Sequence, residues 1–201
     1  TAGPTREPID PVRYLSNHSS GKMGYALAEA AAEAGALTIL ISGPTQLPKP
    51  ARVQVLDVVT AEEMFLASME ATQGCDLFIA AAAVADYRPA ELAPHKIKKG
   101  DSDSITLELI KNPDIVASVA ALDARPFTVG FAAESENLLD YARTKLVRKN
   151  LDLVVANNIS DSRIGFNSDD NAVTLVEKDS TTEISQRSKH QLARELIACF
   201  A

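Results

Sequence analysis

Lys22-Met-Gly-Tyr-Ala-Leu-Ala-Glu-Ala-Ala-Ala-Glu-Ala-Gly-Ala-Leu-Thr-Ile-Leu-Ile-Ser42 holds, in one run, the two periods that decide the fold. In its first part Met23, Ala26, Leu27, Ala30, Ala31 and Ala34 recur at helical spacing and share one face. That face is nearly all alanine, so the predicted helix can lie close against a sheet. Gly35 stops it, because a glycine just past the last turn takes the left-handed conformation without steric cost. The run then ends on Thr38–Ser42 (TILIS), a short β-branched and apolar stretch of strand length. Helix, glycine and buried strand in succession are half of an α/β unit.

Outward from this run the same alternation continues. Val53–Val58, Leu77–Ala83, Ile105–Leu109, Phe127–Phe131 and Leu153–Ala156 read as strands. Thr60-Ala-Glu-Glu63 is a capping box opening a second helix, and Ser188-Lys-His-Gln191 has the same form before the last one. Asn112-Pro113 offers a cap and a first-turn proline to a third helix, and residues from about Leu138 to Asn150 make a fourth. Strands alternating with helices predict right-handed crossovers and a mostly parallel sheet covered on both faces. Ala172–Glu177 and Thr182–Gln186, separated by Lys-Asp-Ser-Thr, predict a C-terminal antiparallel hairpin. The expected architecture is a single α/β, Rossmann-like domain over residues 1–201.

Two segments exceed that minimum. Residues 1–21 carry three prolines and no clear period, whereas connections in such folds usually take about 2–6 residues and longer ones tend to carry function. Thr1-Ala-Gly3 resembles the exit of a strand, so the first strand is expected to lie upstream. Residues 86–103 are polar, contain proline and are basic in the middle; they are expected to form a mobile flap.

Composition narrows the class of function. The 201 residues are 46% apolar and 23% charged, with a net charge of -7, a balance that argues against non-specific nucleic-acid binding. No run of about 18 apolar residues occurs that would span a membrane, and no basic-then-apolar leader is visible. Cys75 and Cys199 have neither metal-ligand nor redox spacing, as expected of reduced thiols in a cytoplasmic protein. Positive charge is nonetheless clustered, at His95-Lys-Ile-Lys-Lys99 and at Lys145, Arg148 and Lys149, which suits a small anionic ligand.

Several motifs sit where an anion or a nucleotide would bind. Ser19, Ser20, Gly21 and Gly24 enter the alanine-rich helix, whose N-terminus presents free N–H groups and the positive dipole end. A Walker loop is excluded by Ser16 and Met23 at the positions it needs, and the dinucleotide fingerprint lacks its third glycine. Ala80, Ala81 and Ala82 lead to Asp86 at the carboxyl end of a strand, where open α/β sheets bind ligands and small side chains let a base or sugar approach. Lys96, Lys98 and Lys99, three lysines in four positions, either form a solvated surface or close over phosphates. Lys145 and Lys149 share a helix face, where cations also favour the helix C-terminus. Asn17 is either a turn residue or an amide that holds a developing oxyanion, and His18 lacks partners for a metal site.

Taken together these blocks resemble one family. Thr1-Ala-Gly-Pro-Thr-Arg-Glu-Pro8, Asp10-Pro-Val-Arg13, Ser16-Asn-His-Ser-Ser-Gly-Lys-Met-Gly24, Ala83-Val-Ala-Asp-Tyr-Arg88, Lys96-Ile-Lys-Lys99, Lys111-Asn-Pro-Asp114 and Gly130-Phe-Ala-Ala-Glu134 occur in this order. With Lys145, Arg148-Lys-Asn150 and Gly165-Phe-Asn-Ser-Asp169 they resemble the bacterial phosphopantothenate–cysteine ligases over essentially the whole chain. The resemblance implies a dimeric enzyme that joins 4′-phosphopantothenate to cysteine with CTP and Mg²⁺, in coenzyme A synthesis, through an acyl-cytidylate. It implies an upstream flavoprotein decarboxylase domain, to which FMN would belong, and Mg²⁺ held more by the substrate than by the protein. It places the nucleotide at Ala80, Ala81, Ala82, Asp86, Lys96, Pro113, Asp114, Ile115, Val116, Phe131, Lys145 and Lys149. Asn17 matches the residue associated with the acyl intermediate and Lys96 a lysine of the flap. A nicotinamide oxidoreductase and a non-catalytic nucleotide-binding module are the rival readings; the missing fingerprint opposes the first.

Overall fold

The computed structural model describes residues 1–100, 103–134, 137–158 and 168–200. Strands β1 (Arg6–Pro8) and β2 (Tyr14–Ser16) make an antiparallel hairpin ahead of helix α1 (Lys22–Glu33). β3 (Thr38–Ser42), β4 (Val53–Asp57), α2 (Ala61–Ala71) and β5 (Leu77–Ala80) follow. β6 (Tyr87–Pro89) and β7 (Leu109–Lys111) pair antiparallel at the two ends of the basic excursion. The rest is α3 (Ile115–Ala120), β8 (Phe127–Glu134), α4 (Leu138–Arg148), β9 (Leu153–Asn158), β10 (Asp170–Val176), β11 (Thr181–Ser188) and α5 (Lys189–Phe200).

β5, β8 and β9 are parallel neighbours, and β10 and β11 extend that sheet as the antiparallel hairpin the sequence predicts. β3 and β4 form a separate parallel pair. Residues 1–4 join the two. Ala2 makes a parallel bridge to Ser42, and Pro4 makes one to Ala83. The N–H of Ala2 donates to the Ile41 carbonyl at 2.9 Å, and the N–H of Ala83 donates to the Gly3 carbonyl at 2.9 Å. The strands therefore run β4, β3, residues 1–4, β5, β8, β9, β10, β11. Below the joining segment a cleft of about 510 Å³ runs between β3 and β5, lined by Leu27, Ile39, Ile41, Leu77 and Ile79 among others.

The joining segment needs close backbone approach on both sides. A Cβ on Gly43 would lie 1.9 Å from the Pro4 carbonyl oxygen, and one on Gly24 would lie 2.5 Å from the Ala2 Cβ. Helix α1 thus sits so near the sheet that only hydrogen fits at position 24.

Alternation along the central strands fills both faces. Val129, Leu153 and Val155 point to a core shared with Ala26, Leu27 and Ala30 of α1 and with Leu192 and Leu196 of α5. Val154 and Ala156 point to the other core, with Met64 of α2, Val119 of α3 and Leu146 of α4. Each fully buried Val, Leu or Met contributes on the order of 1.5–3 kcal/mol, so two-sided burial of this kind fixes strand register as well as stability. The Thr60 capping box forms in full. At the last helix Ser188 Oγ accepts from the Gln191 N–H at 3.3 Å.

Four readings of the sequence are corrected. The strand expected at Ile105–Leu109 is instead Leu109–Lys111, paired with a strand inside the predicted flap. The strand expected at Leu77–Ala83 leaves the sheet after Ala80, keeping only the bridge at Ala83. Residues 1–21 contain the β1–β2 hairpin rather than loop alone. Asp114, not Asn112, caps α3, its carboxylate accepting from the Ala117 N–H at 3.2 Å. Asn112 is occupied elsewhere: its side-chain amide donates to the Ala85 carbonyl at 2.8 Å and accepts from Arg88 at 3.0 Å.

Candidate functional site

The carboxyl end of β5 and the middle of β8 border a pocket of about 420 Å³. One side is the thin-walled run after β5, with Ala80, Ala82 and Val84 facing in and Asp86 at the mouth. Pro113, Asp114, Ile115 and Val116 at the start of α3 form a second side. Phe131 of β8 and Lys145 and Lys149 at the end of α4 complete it. Ten of the residues expected at a nucleotide site therefore come together around one cavity at the edge where α/β sheets bind ligands.

Helix α4 lies so that its last turn overhangs β8, and the i, i+4 spacing carries both lysines to the cavity. Lys145 is half-buried and its Nζ donates to the Phe131 carbonyl at 2.5 Å. Lys149 pairs with the Asp114 carboxylate at 2.8 Å, so one acidic group both caps α3 and offsets a pocket cation. Asn112 and Arg88 tie the strap after β5 to the residue before Pro113: Arg88 donates to the Lys111 carbonyl at 3.0 Å, and Asn112 accepts through its side chain. The mouth is thereby braced from behind. Among the described residues no group of three His, Cys, Asp or Glu side chains is placed to hold a metal ion.

Other expected residues lie outside this cavity. Ala81 faces the opposite side of the sheet, against the core with α1 and α5, because adjacent residues on an extended chain alternate faces. Asn17 is exposed, yet its Nδ2 donates to the Ala83 carbonyl at 2.9 Å and so touches the backbone between Ala82 and Val84. Ser19, Ser20, Gly21 and Gly24 lie at the N-terminus of α1. Gly21 is its N-cap with φ +79° and no side-chain cap, while Gly24 serves the close packing on Ala2. Lys96, Lys98 and Lys99 are exposed on the flap and do not line the pocket. Phe166, Asn167 and the rest of the motif before Ser168 lie outside the described residues.

The sequence reading missed Thr1, Val84, Ala85, Tyr87, Lys111, Asn112 and Gly130 as lining residues. Thr1 holds the wall in place, its Oγ1 accepting from the Ala82 N–H at 3.2 Å. Gly130 had a usable signal, a glycine inside an apolar strand, which marks close approach; a Cβ there would meet the Leu151 side chain at 2.7 Å.

A second polar cluster lies at the base of α1. Lys22 pairs with Asp169 at 2.6 Å, and buried Lys189 donates through Nζ to the Ser168 carbonyl at 2.6 Å. Burial and then the neighbouring Lys22 charge push the Lys189 ammonium down to about 8. The Lys22 hydrogen bond and charge hold the Asp169 carboxyl below its ordinary value.

A family profile described as the DNA/pantothenate metabolism flavoprotein C-terminal domain matches residues 1–201. The chain is 57% identical over 199 residues to the coenzyme A biosynthesis bifunctional protein CoaBC of Vibrio cholerae, covering 98% of this chain and 50% of that protein. It is 54% identical over 200 residues to the protein of that name from Escherichia coli, covering 98% of this chain and 49% of that one. The crystal structure of the C-terminal domain of a CoaBC protein superimposes with a TM-score of 0.83 at 40% identity, covering 98% and 90% of the two chains. A DNA/pantothenate metabolism flavoprotein from Streptococcus pneumoniae also gives 0.83, at 25% identity, covering 98% and 95%. The chain thus spans about half the length of the curated relatives it matches, and it belongs to the family of the DNA/pantothenate metabolism flavoprotein C-terminal domain.

Proposed function

We propose that this chain is the ligase half of a bifunctional coenzyme A biosynthesis protein, condensing 4′-phosphopantothenate with cysteine at the expense of CTP. The observation that carries this reading is the pocket at the end of β5 beside β8: alanine walls, two lysines and a braced mouth, in a family named for pantothenate metabolism. A nucleotide fits there with its base and ribose against Ala80, Ala82 and Phe131 and its phosphates toward Lys145 and Lys149. An upstream flavin-binding decarboxylase domain, with FMN, would account for the other half of the relatives' length.

The chemistry has to replace a poor leaving group, since a carboxylate does not condense with an amine at neutral pH. The 4′-phosphopantothenate carboxylate oxygen attacks the α-phosphorus of CTP; the bond to the bridging oxygen breaks and pyrophosphate leaves. Lys96, carried by the flap, would neutralise charge on the transferring phosphates, in support of Lys145. The amine of cysteine then attacks the acyl carbon, loses a proton to solvent or to a nearby base, and CMP departs. Asn17, already bonded to the Ala83 carbonyl beside the pocket wall, would orient the acyl-cytidylate and donate to the tetrahedral oxyanion. Mg²⁺ would supply further neutralisation of the phosphates. The residues fit an ion carried by the substrate, with Asp86 the exposed carboxylate at the mouth.

A homodimer suits the exposed apolar side chains of the two small sheets. Tyr14 of β2, Tyr87 of β6 and Leu109 and Ile110 of β7 stand 39–49% exposed, with Leu92 and Ile105 of the excursion at 60% and 64%. Exposed apolar side chains of this number on two small hairpins are what an interface between copies would cover. Sedimentation at micromolar concentration should give twice the chain mass.

The deciding experiment is pyrophosphate release with 4′-phosphopantothenate, Mg²⁺ and CTP or ATP, before and after adding cysteine. CTP-dependent release, with CMP and the cysteine amide appearing only after cysteine is added, is expected. Asn17→Asp should slow the second step more than the first, and Lys96→Gln should depress the first. No release from folded protein with either nucleotide would leave a non-catalytic relative.

A further inference from the structure

The flap is held at one peptide. Asp10, in the turn between β1 and β2, is 3% exposed, and its carboxylate accepts from the N–H groups of Val12 and Arg13 at 2.9 Å. It also accepts from the Arg13 guanidinium, at 3.0 Å from Nε and 2.5 Å from Nη2, and from the Ile97 N–H at 3.1 Å. The same Arg13 Nη2 donates to the Ile97 carbonyl at 3.1 Å. Donor and acceptor of the Ile97 backbone are thus both taken by one ion pair, much as a neighbouring strand would take them. A further bond, from the Ala93 N–H to the Ile9 carbonyl at 3.1 Å, ties the flap to the same turn four residues earlier.

We propose that Asp10 and Arg13 are positioning residues that clamp the Ile97 peptide and so set where Lys96 is presented. All but one of the bonds to the Asp10 carboxylate come from its own turn, so the acceptor is preformed and stays satisfied when the flap leaves. Release breaks the two bonds to Ile97 and the tie at Ala93, and leaves the Asp10 carboxylate paired with Arg13. Such a clamp holds the flap firmly enough to position it and weakly enough to open, as a flap that admits substrate requires. The side chains flanking the clamped peptide, Lys96 and Lys98, are exposed, and the clamp fixes their common base. What Lys96 does when presented rests on the ligase reading; where the flap is held does not.

The test uses Ile97→Pro, which removes the clamped N–H, beside Ile97→Ala, which keeps it. Limited trypsin digestion without substrates, read by mass spectrometry after Lys98 and Lys99, reports flap release and needs no catalysis. Ile97→Pro should be cut about tenfold faster than the wild-type chain, the size of one charge-assisted hydrogen bond, and Ile97→Ala at close to the wild-type rate. Asp10→Asn should resemble Ile97→Pro, and all variants should keep the wild-type melting temperature within a few degrees. In the half-reaction, Ile97→Pro should lower the rate of pyrophosphate release about tenfold while leaving the CTP dissociation constant within about twofold, because the pocket itself is intact. Equal cleavage of Ile97→Pro and Ile97→Ala overturns the clamp. So does a rise in the CTP dissociation constant matching the loss of rate. If even the wild-type chain releases no pyrophosphate, the ligase reading falls and the digestion alone decides the clamp.

Discussion

Lys145 and Lys96 are both cations near the carboxyl end of the sheet, yet they are held by different means. Lys145 stands on a helix whose Ala142 and Leu146 are buried in the core, half-buried itself and aimed at the Phe131 carbonyl. Lys96 stands on an excursion tied to the body through the Ile97 peptide and the Ala93 N–H. Around the pocket, position follows from packing, which is cooperative and resists small changes. On the flap it follows from a few polar bonds, each of modest net worth. The first arrangement suits a permanent binding wall and the second a part that moves.

The contrast is broken most severely at the joint on which the wall depends. In Gly43→Ala the new Cβ would lie 1.9 Å from the Pro4 carbonyl oxygen, a backbone atom. Residues 1–4 must then shift away from β3, and with them the support that Thr1 gives to Ala82. A loss of about 4 kcal/mol or more is expected, with a melting temperature lower by on the order of 10 °C. Thermal unfolding of the purified variant checks this. An unchanged melting temperature would mean that the wall does not depend on the joint.

Within the pocket, Lys145→Met should separate binding from stability. It keeps the stem that packs beside β8 and deletes the charge, so the melting temperature should move by only a few degrees. The CTP dissociation constant should rise about 30- to 100-fold, as expected for losing a charge-assisted contact of about 2–3 kcal/mol. Calorimetric titration measures it directly. Intact affinity would take Lys145 out of the phosphate site.

Legibility in the sequence follows the same division. The parallel strands and α1 could be read because both faces are buried, which forces apolar runs and a period of 3.6 onto the sequence. Ala80, Ala82 and Asp86 could be located because the ends of such strands are where ligands bind, and Lys145 and Lys149 by their shared helix face, whereas Pro113, Asp114, Ile115, Val116 and Phe131 came from the family resemblance. The hairpin at Arg6–Ser16 could not be read: its strands are three residues long, Pro8 ends one of them, and their pairing partner is local. β7 was placed too early for a related reason. Ile105 and Leu107 look like strand residues, but Leu109 and Ile110 are just as apolar and comparably exposed, so only the pairing with Tyr87–Pro89 fixes where the strand begins. Asp10 could be read only as part of the Asp10–Arg13 block of the family resemblance, because its contact with Ile97 lies 87 residues away.

Lys189 offers a smaller effect away from both regions. Its folded value near 8 lies below the ordinary lysine value of about 10.4, so between those limits the unfolded chain binds more protons than the folded one. Stability should therefore rise as pH increases from about 8 to about 10. Urea unfolding across that range should show the rise in the wild-type chain and a flatter profile in Lys189→Met. An equal slope in both would assign the dependence to other groups.

The smallest change falls on the pair that links α3 to α4. Asp114 is partly exposed, with side-chain accessibility of 46%, against 17% for Lys149. An ion pair of this kind contributes less than about 1 kcal/mol. Asp114→Asn keeps an oxygen able to cap α3, so the helix start survives, and the melting temperature should fall by no more than about 2 °C. The informative quantity is nucleotide affinity. If Lys149 is a pocket cation partly offset by Asp114, removing the carboxylate leaves more positive charge facing the phosphates, and CTP should bind about two- to fivefold tighter at low salt. Screening shortens to about 3 Å at 1 M salt, so the gain should shrink toward zero there. Weaker binding at every salt concentration would mean that Asp114 itself touches the nucleotide, and the wall would then owe part of its specificity to a carboxylate rather than to its lysines.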